Sequence, residues 1–182
     1  PLAAIVSRIA AAIYLAASLL LFSTSAIYHR FTWGPRGEAI LRRWDHANIY
    51  LFIAATYTPI AVLMLSPNSA ALLLTIIWSA AVAGLLFRLC WLGAPRWLYT
   101  ALYLAMGWAA LFWLPQIFVN GGVAVFTLII VGGLLYTIGA VVYARKSPDP
   151  SPTWFGYHEI FHACTILAFT AQYVAISIAE YN

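Results

Sequence analysis

Long apolar runs are the feature of this sequence that most restricts its fold. Six runs of at least 18 residues contain almost no charged side chains, and about 20 apolar residues are enough for one helix to cross a bilayer. With 64% hydrophobic and only 8% charged residues, the chain cannot cover a water-facing surface. The sequence therefore predicts an integral membrane protein and excludes a soluble globular domain.

The apolar runs do not alternate with polar residues, as the strands of a membrane barrel would, so they predict helices. The expected fold class is all-α, a polytopic transmembrane helix bundle that forms one integral membrane domain over residues 1–182. Breaks at Pro, Gly, Asn and charge clusters define six spans: Leu2–Tyr28, Asn48–Leu65, Ala70–Phe87, Trp97–Leu114, Gly121–Tyr143 and His158–Ala179.

The basic residues predict which side of the membrane each connection faces. Eight of the nine fall in the first, third and fifth connections: Arg30, Arg36, Arg42, Arg43, Arg88, Arg96, Arg145 and Lys146. The second and fourth connections, residues 66–69 and 115–120, carry no charge, so the positive-inside rule predicts cytoplasmic odd connections and outside-facing visible termini. Trp33, Trp44, Trp91, Trp97 and Trp154 lie at the same ends, as an interfacial aromatic belt would.

Histidines are few and close to these predicted cytoplasmic ends. His158 and His162 are four residues apart at the start of the last span, a spacing that puts two imidazoles on one helix face where they chelate a metal. Ser25 and His29 have the same spacing at the end of the first span, and Asp45 precedes the second. The predicted topology places all of these residues near the cytoplasmic side.

Three neutral imidazoles with an open fourth position describe a catalytic zinc site, in which a bound water is acidified to a pKa of about 7. The sequence thus predicts Zn²⁺ ligands at His29, His158 and His162. Asp45 would orient or deprotonate the water, and Ser25 would hydrogen-bond the water or a developing oxyanion.

Residues 158–162 also read H-E-x-x-H, the zincin signature in which the glutamate is the general base. This alternative gives Glu159, rather than Asp45, the task of handling the water. The two mechanisms share the ligands His158 and His162.

Structural interpretations stay open for three of the polar residues. Asp45 is a possible helix N-cap, with Asn48 at the third following position. Ser25 is able to bond the carbonyl four residues back. His46 points about 100° away from Asp45 around a helix, which favours an interfacial anchor over a ligand.

Four motifs together resemble the hemolysin III family, the bacterial branch of the progestin and adipoQ receptor proteins, and are more distantly similar to alkaline ceramidases. They are Ser25-x-x-x-His29, Asp45 with the following His-Ala-Asn-Ile, Tyr57-Thr58-Pro59 and Gly156-Tyr157-His158-Glu159-x-x-His162. The resemblance implies a seven-helix bundle in the bacterial plasma membrane that binds zinc through His29, His158 and His162. It also implies Asp45 and Ser25 beside the water, and favours Asp45 over Glu159.

The resemblance predicts seven spans, one more than the six counted in the sequence, and the seventh would precede Pro1. An added N-terminal helix would move that terminus to the cytoplasm and leave the C-terminus outside, in agreement with the charge pattern.

Three functions follow as expectations. The first is a zinc-dependent hydrolase that cleaves an amide or ester of a membrane lipid at the cytoplasmic leaflet. The second is a non-enzymatic sensor of membrane state with structural zinc, and the third is a hemolysin-like pore. The net charge of +4 requires no nucleic-acid partner, so the expected partner is membrane lipid, as environment and as possible substrate.

Overall fold

The structure is a computed structural model that describes residues 2–91 and 93–181. These residues form six α-helices, one 3-10 helix and an isolated β-bridge between Ser151 and Phe155, with no longer strand among them. The helices are α1 (Leu2–Arg30), α2 (Pro35–Met64), α3 (Pro67–Cys90), α4 (Arg96–Gly107), α5 (Leu114–Arg145) and α6 (Tyr157–Tyr181), and the 3-10 helix is Ala109–Trp113. The predicted all-α fold class is confirmed.

Five helical segments of the described chain are long and apolar enough to cross a membrane: α1, α2, α3, the 50-residue stretch Arg96–Arg145, and α6. A straight helix of 50 residues would be about 75 Å long, more than twice the roughly 30 Å hydrocarbon core. Hydrogen bonds join Arg96 to Tyr143 and Trp108 to Thr137, so the stretch folds back on itself. It therefore contains two of the six predicted spans, and the protein is a multi-pass membrane protein.

The reversal lies a little later in the chain than predicted. The expected connection Pro115–Asn120 is helical, because α5 begins at Leu114, and the fourth predicted span is α4 followed by the 3-10 helix. Proline in the first turn is compatible with a helix because its missing N–H has no partner there. The break is at Gly122, whose φ of 74° and ψ of 176° interrupt α5, a conformation that glycine adopts without a Cβ clash.

Helix α2 also differs from its prediction, since it begins at Pro35 rather than Asn48 and reduces the first connection from residues 30–46 to residues 31–34. The charges of this stretch suggested a loop, but Pro35 at the first position and Glu38 in the first turn both favour a helix N-terminus. Gly34 is the N-cap. The N-cap interpretation of Asp45 is therefore wrong, because Asp45 lies inside the helix.

Contacts group the chain into two units, Pro1–Ala94 and Pro95–Asn182. In the first, α2 packs against both α1 and α3, and in the second, α5 packs against α4 and α6. The middle helix α2 accordingly supplies many of the buried residues, including Tyr50, Ala54 and Ala61. The single integral membrane domain stays a prediction.

Two tryptophan–threonine hydrogen bonds join neighbouring helices, one in each unit. The Trp78 indole N–H donates to the Thr58 hydroxyl at 3.2 Å, and the Trp108 indole N–H donates to Thr137 at 2.9 Å. Each threonine in turn donates to the carbonyl four residues earlier in its own helix. Both indole donors are thereby satisfied without water, which hydrocarbon requires.

Glycine lets α2 and α3 approach closely at one position. A Cβ added at Gly84 would collide with the ring of Tyr50, which is 1% exposed. Because the ring is enclosed on α2, its relaxation is restricted. We expect Gly84→Ala to lower the free energy of unfolding by about 1–3 kcal/mol, as overpacking of a close-packed site does, measured by SDS titration of the detergent-solubilised protein.

The matched control is Gly107→Ala, because a Cβ at Gly107 meets nothing within 4 Å. An equal loss of stability in both variants would contradict the close-contact explanation for Gly84.

Candidate functional site

A pair of polar contacts lies where α1 and α2 run antiparallel. The Asn48 side-chain amide donates to the Thr24 hydroxyl at 3.1 Å, and the Ser25 hydroxyl is within hydrogen-bonding reach of the Asp45 carboxylate. The short connection between the helices, residues 31–34, sets this register. Ser25 and Asp45, which the sequence places 20 residues apart, are therefore neighbours in the first unit.

Asp45 has a partly enclosed setting with two polar neighbours. Its side chain is 14% exposed, and besides Ser25 it has His29 near enough for electrostatic interaction. His29 is more exposed and lines an apolar concavity with Ala26, Ile27, Arg30 and Phe31. The first unit thus brings together three of the five predicted site residues.

His46 lies beside Asp45 but bonds to its own helix. Its Nδ1 is 2.7 Å from the carbonyl oxygen of Arg42, four residues earlier, and 3.8 Å from an Asp45 oxygen. Nδ1 must carry the proton if it donates to that carbonyl. This bond leaves only Nε2 of His46 as a possible metal donor.

The second unit brings His158 and His162 together in the first two turns of α6. Their Nε2 atoms are 3.0 Å apart, their ring centroids are 4.6 Å apart, and both side chains are half-buried. The helical spacing of four residues accounts for the shared face, and the two nitrogens converge on a common point.

This pair fits two ligands of one zinc ion. Two imidazole nitrogens bound tetrahedrally at 2.0–2.1 Å would be separated by about 3.3 Å, close to the observed 3.0 Å. In the absence of a metal the same distance suits a hydrogen bond, with one imidazole donating and the other accepting. The donor chemistry and the separation both fit zinc.

Glu159, the acidic residue of the H-E-x-x-H motif, caps the start of α6. Its Oε2 accepts the backbone N–H of Gly156 at 2.9 Å, the reach of a glutamate at the third helical position back to the N-cap. Asp149 accepts the next backbone N–H, that of Tyr157, at 3.0 Å. Two N–H groups at the start of α6 thus have acceptors. The bond between Glu159 and Gly156 directs the Glu159 carboxylate toward the helix end.

Comparison with known proteins now adds to this geometry. Residues 2–173 match the family described as haemolysin-III related. The chain belongs to this family. It is 33% identical over 140 residues to the hemolysin-3 homolog of Bacillus subtilis (strain 168), covering 76% of this chain and 65% of that protein. It is also 33% identical over 139 residues to hemolysin-3 of Bacillus cereus, covering 75% and 61%.

The predicted family resemblance is confirmed, and the chain spans less than two thirds of the length of these two relatives. Both of these relatives are bacterial proteins, which agrees with the expected place of the chain in the bacterial branch of the receptor group.

Sequence reasoning missed two sets of neighbours in this hemolysin III protein. One is the hydrogen bond between Thr24 and Asn48. No sequence motif predicts this bond, because both residue types are common in helices. The other consists of Tyr143, whose ring lies beside His158, and Arg96, whose guanidinium stacks on the Tyr143 ring. In the sequence, Arg96 served only as one of the basic residues that predict the membrane topology. Its position before an apolar run gave no indication of a contact with Tyr143.

The capping contact of Glu159 generates a prediction that separates it from a catalytic base. We expect Glu159→Ala to lower the free energy of unfolding by about 0.5–2 kcal/mol, the cost of losing a helix cap, measured by SDS titration. Metal content, measured by elemental analysis, should be unchanged.

The control is Glu38→Ala, since Glu38 also lies in the first turn of a helix. Loss of bound metal in Glu159→Ala together with unchanged stability would contradict the capping role.

Proposed function

We propose that this hemolysin III protein is a zinc-dependent hydrolase of the bacterial plasma membrane that cleaves an amide or ester bond of a membrane lipid. In the proposal His29, His158 and His162 hold the metal, while Asp45 and Ser25 act on the attacking water. The observation that carries the chemistry is the Asp45 carboxylate with Ser25 within hydrogen-bonding reach and His29 nearby.

The donor set supports zinc. Imidazole nitrogen is a common zinc ligand, and three protein ligands with one open position characterise catalytic sites. The convergence of the His158 and His162 nitrogens at 3.0 Å supports two of these ligands. The proposal takes His29 as the third from the family motif at the end of α1. Zinc bound in this way supplies Lewis-acid activation of water.

Asp45 is the favoured general base. Glu159 bonds to the Gly156 backbone, whereas Asp45 lies in a partly enclosed setting beside Ser25. Asp45 would take a proton from water as the water oxygen adds to the lipid carbonyl carbon. The carbon–nitrogen or carbon–oxygen bond then breaks, and Asp45 returns the proton to the leaving atom. The Ser25 hydroxyl would donate a hydrogen bond that orients the carboxylate or the developing oxyanion.

The setting of these residues supports a lipid substrate. His29 is the penultimate residue of α1, and His158 is the second residue of α6, so the chemistry would lie at helix ends, at the depth of a lipid headgroup linkage. The shallow apolar surface beside His29 would leave an acyl chain in contact with apolar side chains. With the basic connections cytoplasmic, the proposed site faces the cytoplasmic leaflet and the C-terminus lies outside.

Metal content tests the ligand assignment. We expect about one zinc per chain in the purified protein, and loss of most of it in each of His29→Ala, His158→Ala and His162→Ala, because removal of one ligand leaves too few donors. His46→Ala is the matched control and should retain zinc, since His46, whose Nδ1 bonds to the Arg42 carbonyl, is not one of the three proposed ligands. Elemental analysis in detergent measures the result. Wild-type protein without bound metal would contradict the zinc proposal.

Asp45→Asn separates catalysis from structural zinc. We expect this variant to keep its zinc but to release fatty acid from mixed lipid vesicles about 10²–10⁴ times more slowly, the usual contribution of general acid–base catalysis. Mass spectrometry of the released fatty acid measures the rate. Zinc-loaded wild-type protein that releases no fatty acid from any lipid class would contradict the hydrolase and favour a membrane sensor with structural zinc.

Membrane lysis is the third candidate, suggested by two similar Bacillus proteins that are named hemolysin-3 homolog and hemolysin-3. Lysis would require an aqueous path. Dye release from vesicles distinguishes the two, since a pore releases trapped dye without consuming lipid.

A further inference from the structure

Resting on the proposed zinc function, we propose that Arg96 and Tyr143 are positioning residues that hold the His158 imidazole in its ligating orientation. Neither residue is a metal ligand or belongs to the motifs recognised in the sequence. The proposal follows from a chain of contacts from α4 through α5 to α6, within the second unit.

Arg96 joins the start of α4 to the end of α5. Its guanidinium N–H donates to the backbone carbonyl of Tyr143 at 3.1 Å, and its Cζ lies 4.7 Å from the centre of the Tyr143 ring. A cation at a helix C-terminus is stabilised by the helix dipole, and stacking on the ring adds a cation–π interaction. Arg96 thereby fixes both the backbone and the ring of Tyr143.

The same guanidinium also reaches α6. Its Cζ is 6.0 Å from the Tyr157 ring centre, and the Tyr157 side chain is within hydrogen-bonding reach. Tyr157 immediately precedes His158. The Arg96 side chain of α4 therefore contacts both α5 and α6 at the level of the first histidine of the pair.

Tyr143 carries this restraint to His158. The Tyr143 ring centre lies 5.9 Å from the His158 ring and 5.1 Å from the ring of Phe161, and the Arg96 guanidinium lies over the Tyr143 ring. These partners leave the Tyr143 ring little freedom to turn. His158, packed against it, is correspondingly restricted in its rotamer.

Restriction of a ligand rotamer matters because a metal site binds most tightly when its donors are already oriented, and loss of an orienting partner typically weakens metal affinity by about 10–100-fold. A lysine in place of Arg96 would keep the charge but lose the planar group that stacks and donates at the same time. The aromatic ring of Tyr143 matters more than its hydroxyl, because the ring contacts His158.

The test is Co²⁺ and Zn²⁺ binding to the full chain in detergent, with the visible absorption of bound Co²⁺ as the report of ligand geometry. We expect Arg96→Lys and Tyr143→Leu to bind both ions at least about tenfold more weakly and to change the Co²⁺ spectrum. Tyr143→Phe should retain the wild-type affinity and spectrum. Arg145→Ala is the matched control, because Arg145 is an exposed cation at the same end of α5.

Unfolding of the metal-free variants separates positioning from general stability. If Arg96→Lys and Tyr143→Leu lose stability but keep wild-type affinity and spectrum, the two residues are merely structural and this inference is overturned, while the zinc proposal stands. If the wild-type protein binds neither ion, the zinc proposal falls and this inference falls with it. Weaker binding in Arg145→Ala equal to that in Arg96→Lys would also overturn it, because the effect would then not depend on the contact between Arg96 and Tyr143.

Discussion

Hydrocarbon offers no hydrogen-bond partners, and the rest of this structure depends on that constraint. The backbone satisfies its own N–H and carbonyl groups by forming helices, and polar side chains form hydrogen bonds within or between neighbouring helices. Ser18, Thr58 and Thr137 each donate to the carbonyl one turn earlier in their own helix. The two threonines also accept an indole N–H from a tryptophan outside their own helix. In these two contacts the accepting hydroxyl has already donated its own hydrogen within its helix.

The same constraint accounts for where the candidate site residues lie along their own helices. Imidazole and carboxylate groups are costly in the middle of a bilayer, and here Ser25, Asp45 and the pair His158–His162 lie within two turns of helix ends or inside a helix that extends past its apolar part. At such positions they remain close to water and headgroups. Asp45 becomes a helix-interior residue because α2 begins ten residues earlier, at Pro35, which frees its carboxylate from capping.

The fold could be predicted from hydrophobic length alone, and the His158–His162 pair from helical spacing, because both depend on local periodicity. The start of α2 could not be predicted in this way. The charges of Arg36, Arg42 and Arg43 suggest a loop, and a helix is indicated only when Pro35 and Glu38 are considered as helix N-terminal residues. The break at Gly122 was placed a few residues too early, because Pro115 and Asn120 were taken as the ends of the connection and the turn signal of Gly121-Gly122 was assigned to the next span. The meeting of Ser25 with Asp45, and of Arg96 with Tyr143, depends on helix register, which a single sequence does not contain.

The motif H-E-x-x-H shows why register decides chemistry. In a zincin the glutamate faces the metal from within a helix, but here the motif begins at the second residue of α6. The N–H groups of that first turn have no helical acceptors, so the Glu159 carboxylate has a partner at Gly156. The two histidines keep their shared face whatever the helix start, because a spacing of four residues is independent of it. The same five letters therefore place two imidazoles on one helix face at either location, whereas the partner of the glutamate depends on whether the helix continues upstream.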